Sequence, residues 1–288
     1  MNTKPALCVI AAGIFWGLIS VFTTNLNSLG FTAIDICTYR PSISAAILLI
    51  WLAIQNPASL KIKLKDIGYF IGTGMISLCV FNWCYFHTIE HSQASIAVGL
   101  LYTSPVFVTL LSALLFHEQL TVRKLAAVAI TVEGCFLISG FIGSTYSVAP
   151  LILLTGIASG FFYGLYSIFG NYALKKYSPI TITFYTFVFA SIGAIGINDV
   201  HASLEIIQAK PEALAWCIGI SVISTIIPYF LYTYGLKQLE TSKAAVLVTV
   251  EPLVGCLVGI LLFSEPCNIE KIIGMGCILS STVILSRN

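Results

Sequence analysis

Charged side chains are scarce in this sequence: Asp, Glu, Lys and Arg together make up 9% of its 288 residues, against about 25% in ordinary soluble domains. That is too few to coat a soluble surface. The formal net charge is only +2, and no run of five or more basic residues occurs, which argues against a nucleic-acid-binding face. The nine cysteines include no Cys-x-x-Cys pair. Most of them (Cys8, Cys37, Cys79, Cys84, Cys135, Cys256 and Cys277) lie within apolar runs and read as small packing residues. No Gly-rich loop with Lys is present to cradle a nucleotide, so ATP-driven work by this chain alone is unsupported. Lys4 and the apolar stretch after it look like a signal peptide, but no Ala-x-Ala-like site closes the stretch, and a retained first helix is expected.

What the chain has in abundance is apolar surface: 58% of residues are hydrophobic and the mean hydropathy is +0.96. A hydrocarbon core about 30 Å thick takes roughly 20 apolar residues per helical crossing. Such runs fall at residues 6–24, 33–54, 67–88, 94–116, 123–141, 149–171, 180–198, 213–236, 243–263 and 270–286. They predict an all-α membrane protein with ten transmembrane helices. The breaks, such as 25–30 and 143–147, are short and turn-like, and the longest, around 198–212, is too small for a soluble domain. On a ten-helix path that starts inside, Lys4, Lys61, Lys63, Lys65, Arg123, Lys124, Lys175, Lys176, Lys237, Lys243 and Arg287 fall on the cytoplasmic side, as the positive-inside rule asks. Lys210 and Lys271 fall outside, and Arg40 lies within the membrane. The expectation is a multi-pass protein of the plasma (inner) membrane with both termini cytoplasmic.

The sequence also repeats itself. An offset of 147 residues lays Gly13, Trp16, Gly17 and Phe22 on Gly160, Tyr163, Gly164 and Phe169, and it continues without a gap. Tyr85 meets Tyr232, Ser95 meets Ser242, Ala97 meets Ala244, Pro105 meets Pro252, Phe116 meets Phe263 and Glu118 meets Glu265. The two repeats are therefore set at residues 1–146 and 147–288. Five helices per repeat is an odd number, so the second half enters the membrane upside down. Inverted repeats are a recurrent plan of secondary transporters, whose halves rock about a site near the midplane.

The stretches from Tyr85 through Pro105 to Glu118, and from Tyr232 through Glu251-Pro252 to Glu265, resemble the drug/metabolite transporter superfamily, EamA type. The likeness covers essentially the whole chain. It implies two inverted five-helix halves around a central cavity lined by helices one, three, four, six, eight and nine, with helix two outside that lining and helices five and ten away from it. It also implies the export of small organic metabolites. One departure stands out: Ser104 precedes the first proline where Glu251 precedes the second, so only one half supplies a carboxylate there.

The candidate cavity-lining residues are Trp16, Asn82, Tyr85, Tyr102, Tyr163, Tyr166, Tyr229, Tyr232 and Glu251. Tyr163 with Tyr166, Tyr229 with Tyr232, and Asn82 with Tyr85 are each three apart and share a helix face. Rings with hydroxyls in apolar helices suit an amphipathic solute, although each tyrosine reads as well as a lipid-facing or interfacial residue. Glu251 and Arg40 are the coupling or gating candidates. An intramembrane charge needs a partner, a wet cavity or a role. Glu251 could couple protons or bind ligand, or could equally be a structural acceptor. Arg40, opposite Phe187 in the repeat, reads as a structural or gating ion pair, and Glu133 as a paired or helix-packing residue. The pairs Gly13 and Gly17, Gly160 and Gly164, and Gly255 and Gly259 read as seams where helices pack closely.

His87, Glu90 and His91 spell the inverted zinc-protease motif, but they end a helix at a loop, and no metal or other cofactor is expected. No nucleophile and base converge as an enzyme would require. The function expected is a secondary transporter that moves amino acids or similar amphipathic solutes, in the direction of export, by alternating access. The alternatives are facilitated uptake and a membrane-embedded sensor or scaffold, the latter disfavoured by inner loops too short for a relay surface. The expected partners are the solute, the lipid bilayer and a coupling proton, with the chain acting as a monomer or homodimer.

Overall fold

The computed structural model describes residues 3–141, 148–196 and 200–286. The break expected at 143–147 and the cytoplasmic placement of Arg287 lie outside the described residues. Each expected apolar run is helical: α1 (Lys4–Leu29), α2 (Ala33–Gln55), α3 (Leu64–His91), α4 (Ala94–Phe116), α5 (Val122–Ser139), α6 (Pro150–Leu174), α7 (Pro179–Ile195), α8 (Glu212–Leu236), α9 (Thr241–Leu262) and α10 (Ile269–Ser286). An additional short helix, Val200–Ala209, precedes α8. Seven of these rods, α1 to α4, α6, α8 and α9, are long and apolar enough to cross a membrane. The others, 18, 17 and 18 residues long, fill the fifth, seventh and tenth places. No strand occurs among the described residues.

Local sequence explains where the rods start and where they break. Thr32 and Asp35 close a capping box at the head of α2, satisfying backbone donors that would otherwise be orphaned. Pro105 and Pro252 cannot donate a backbone hydrogen bond or tolerate the preceding turn, so α4 breaks between Leu101 and Ser104 and α9 between Leu247 and Val250. In α3 the segment Gly72–Cys79 is a π-helix, and so is Val222–Ile226 in α8. Residues 75–79 fall on 222–226 under the repeat offset, so both halves widen the same helix at the same place. Wide turns of this kind leave main-chain groups free and are frequent at functional sites.

The halves are related by a two-fold exchange and are inverted. Helix α1 packs on α8 and α9 as α6 packs on α3 and α4, while α2 pairs with α7 and α5 with α10. The exchange holds down to single atoms. A Cβ on Gly13 would stand 2.6 Å from the Val248 carbonyl oxygen, and one on Gly160 would stand 2.9 Å from that of Leu101. Leu101 is the repeat counterpart of Val248. At one end of the bundle Asp66 meets Lys176, Lys63 meets Tyr177, and Glu118 meets Thr241. At the other, Lys210 reaches the Leu29 carbonyl and Thr88 meets Thr155. The start of α1 lies against Gly235, near the end of α8, whereas α6 starts against the end of α3. The first helices of the two repeats thus run in opposite directions.

Candidate functional site

Aromatic rings fill the middle of the bundle. Trp16 of α1 meets Tyr229 and Tyr232 of α8, with ring centroids at 4.9 and 5.6 Å, and Tyr166 of α6 meets the same two rings at 5.1 and 6.1 Å. Phe187 of α7 closes the cluster against Tyr229 at 5.1 Å. The hydroxyls are satisfied within it: Tyr166 pairs with Thr233 at 2.7 Å and Tyr232 with Ser167 at 2.6 Å. Only about 20 Å³ of space remains between these residues and Ser77, Ser104 and Tyr163, roughly room for one water. Four of the expected lining residues, Trp16, Tyr166, Tyr229 and Tyr232, therefore form a packed plug.

Glu251 lies next to this plug. It opens the second segment of α9, where Pro252 breaks the helix, and its N–H turns back to the Val248 carbonyl at 3.0 Å. Its half-buried carboxylate accepts the Tyr163 hydroxyl at 3.2 Å, and Tyr102 stands close by. Tyr85 is near the same carboxylate and contacts Phe81, which in turn packs on Tyr163. Helices α3, α4, α6 and α9 thus converge on one acid, and four of the expected residues (Tyr85, Tyr102, Tyr163 and Glu251) are brought together.

The larger cavity, about 240 Å³, lies between α2, α3, α7 and α8. It runs from Ile34 and Glu90 at the helix ends inward to Arg40, Leu78 and Phe187. Its wall is apolar, with Thr38, Arg40, Asn82 and Thr225 as the polar contributions at depth. Two pairs of repeat counterparts, Arg40 with Phe187 and Leu78 with Thr225, both line it, so the cavity straddles the two-fold axis. This corrects the expectation that helix two stays out of the lining: α2 pairs with its own counterpart α7 across the axis, which carries Arg40 to the cavity wall. The Arg40 guanidinium lies close to the Tyr229 hydroxyl and within electrostatic reach of Glu251, and among the described residues it forms no ion pair. The cavity wall therefore carries a cation at depth, with the Glu90 carboxylate at its mouth.

Other expectations also meet corrections. Glu133 is exposed on α5 and forms no ion pair among the described residues, because the α5–α10 seam is closed by its neighbours: Gly134 sits on Gly274, and Thr131 donates to Ser281 at 2.7 Å. Gly255 and Gly259 do not form a helix seam, since Gly259 faces the Glu265 carboxylate and Gly255 only approaches the Gly17 carbonyl. His87 and His91 stack on each other at 4.3 Å, with a His91 ring nitrogen on the His87 carbonyl. No cluster of three His, Cys, Asp or Glu that could hold a metal occurs among the described residues.

A family model for EamA-like transporters matches residues 3–140 and again residues 150–287. The chain belongs to the EamA-like transporter family. An uncharacterized transporter of Archaeoglobus fulgidus is 27% identical over 97% of this chain and 95% of its own length. An uncharacterized inner membrane transporter of Salmonella typhimurium is 23% identical over 98% and 95%. A crystal structure shares the fold at a TM-score of 0.79 and 15% identity, covering 99% of this chain and 96% of its own. This EamA-like protein is a multi-pass membrane transporter.

Proposed function

We propose that this EamA-like transporter is a secondary transporter that exports small amphipathic metabolites bearing an acidic group, amino acids foremost, by alternating access. The observation that carries the reading is the cavity on the two-fold axis, reached from one end of the bundle and carrying Arg40 at depth. Its apolar wall suits an organic body, and a guanidinium suits a carboxylate, which it can grip through two parallel hydrogen bonds. A volume of about 240 Å³ is below the roughly 300–1,000 Å³ of drug-sized ligand sites and fits a single small metabolite rather than a nucleotide-linked one. Glu251, the intramembrane carboxylate at the break of α9 that holds the Tyr163 hydroxyl, is the candidate for proton coupling. Clustering of Lys and Arg at the end that bears Lys63, Lys124 and Lys176 supports a cytoplasmic placement of that end, in the plasma membrane with both termini inside.

The test is reconstitution into liposomes followed by counterflow of radiolabelled amino acids, beside a thermal-shift screen of the purified protein. Saturable counterflow of a carboxylate-bearing solute, lost in Arg40→Gln, is the expected result. Absence of counterflow for every amino acid and small organic acid tried would overturn the reading and favour a sensor or scaffold.

A further inference from the structure

Two glutamates 147 residues apart follow the same unusual turn. His117 and Ser264 are the only non-glycine residues with positive φ among the described residues, at 58° and 56°, a conformation that L-residues adopt rarely. They are repeat counterparts, and each precedes a glutamate. The Glu118 N–H then returns to the Ser112 carbonyl at 3.3 Å and the Glu265 N–H to the Gly259 carbonyl at 3.0 Å, again counterparts. The backbone therefore presents both carboxylates in the same way, at opposite ends of the bundle.

Their side chains do different things. Glu118, at the end of α4, accepts the N–H groups of Thr241 and Ser242 at 2.6 and 3.2 Å, together with the Ser242 hydroxyl. It thereby ties α4 to the head of α9. The contact is sealed, with Thr241 and Ser242 at 0% and 3% exposure. Lys124 stands 3.8 Å from Glu118 and 2.8 Å from Glu240. At the other end Glu265 is half exposed and pairs with Lys271, the counterpart of Lys124, at 2.9 Å. The groups it would meet by symmetry, the N–H groups of Ala94 and Ser95 at the head of α4 and the Ser95 hydroxyl, have no partner among the described residues, and Ala94 is exposed. The mouth of the 240 Å³ cavity is at this second end.

We propose that Glu118 and Glu265 are alternating latches: Glu118 on Thr241 and Ser242 closes one end of the bundle in the state seen here, and Glu265 on Ala94 and Ser95 closes the other in the opposite state. Inverted halves that exchange conformations carry each other's contacts, so the docked latch specifies the geometry of the undocked one. The two are unequal. Glu240 is replaced by Gln93 in the second latch, and Asn171, which donates to Thr241 at 2.7 Å, is replaced by Thr24, opposite an alanine with no hydroxyl. The second latch has fewer bonds, which favours the state with the cavity mouth open.

The inference rests on the alternating-access reading, but its test reads accessibility rather than flux. Cys37 and Cys79 line the cavity, and Cys267 is exposed at the same end as an internal control. Full-length protein in sealed proteoliposomes is treated with a membrane-impermeant maleimide, and labelling is read peptide by peptide by mass spectrometry. Glu118→Gln is expected to slow labelling of Cys37 and Cys79 but not of Cys267, as the open-to-closed ratio moves about tenfold, the scale of one charge-assisted hydrogen bond. Adding Ala94→Pro should restore it, because proline removes an N–H that only the second latch uses and fits the first position of a helix. Gln93 before it is already extended, so the proline itself is accommodated. Labelling in Glu118→Gln at the wild-type rate, or slow labelling that Ala94→Pro does not reverse, would overturn the latches. A protein that transports nothing but shows the expected labelling would instead sink the transport reading alone.

Discussion

Arg40 and Glu251 are where an otherwise duplicated interior becomes chemically one-sided, because their counterparts are Phe187 and Ser104. Replacing Arg40 with Gln keeps a polar side chain beside Tyr229 but removes the charge. Affinity for carboxylate-bearing solutes should fall about tenfold to hundredfold, the scale of a hydrogen bond to a charged group, while affinity for the corresponding methyl esters stays unchanged. Isothermal titration of the two series against wild type and Arg40→Gln separates charge recognition from general damage, since damage would weaken both. Glu251→Gln makes the complementary test. The amide oxygen can still accept from Tyr163, so the local packing around the α9 break survives, but the proton site is gone. The pH dependence of counterflow should flatten with uptake at the pH optimum largely retained. A profile with the wild-type slope would remove Glu251 as the coupling group and leave facilitated diffusion. The sequence drew attention to both residues because each is an ion in an apolar run. It could not show that Arg40 faces a cavity, since that depends on α2 meeting α7 across an axis that no local pattern records.

At the scale of the helix, the breaks in α4 and α9 are functional geometry written by single prolines. The glycines opposite them let a second helix ride directly on the interrupted main chain. A side chain on Gly13 would collide with the Val248 carbonyl, and one on Gly160 with those of Leu100 and Leu101. These are backbone atoms that cannot swing aside. Gly13→Ala and Gly160→Ala should each destabilise by about 1–3 kcal/mol, as overpacking does. Gly276→Ala meets nothing within 4 Å and should be neutral or stabilising by roughly 0.5–1 kcal/mol, the helix-interior penalty of glycine. Thermal unfolding in detergent ranks the three, and an equal loss in all of them would refute the close seats. The seats were legible in the sequence as glycines four apart, duplicated at one offset. The π-helical segments were not: Pro228, whose missing N–H would otherwise bond the Ser224 carbonyl, stands just past 222–226, but its counterpart Phe81 gives 72–79 no such mark. The wide turn at 72–79 is seated by packing, with Gly74 on the Thr186 carbonyl and the Ser77 hydroxyl bonded to the Phe162 carbonyl.

For the whole molecule, the inverted halves were readable because hydrophobic runs, basic loops and the offset of 147 residues are all one-dimensional features. The aromatic residues were read as a cavity for a one-dimensional reason too: ring identity and spacing say which face a tyrosine takes, but not whether facing rings leave room between them. Here they pack to about 20 Å³, and the open volume lies on the α2–α7 side. The same symmetry makes the balance between the two end states adjustable from a position outside the cavity lining. Lys124 is bracketed by Glu118 and Glu240, whereas Lys271 faces Glu265 and, in the exchanged state, only Gln93. Gln93→Glu would supply the missing carboxylate to that second latch and touches no hydrogen bond of the present state. A partly exposed ion pair contributes about 0.2–1 kcal/mol, so the closed-mouth state should gain up to about fivefold and maleimide labelling of Cys37 and Cys79 should slow accordingly. High salt should return labelling toward the wild-type rate, because screening weakens an exposed pair. Unchanged labelling at low salt, or slowing that persists in high salt, would show that the ion pair does not set the balance.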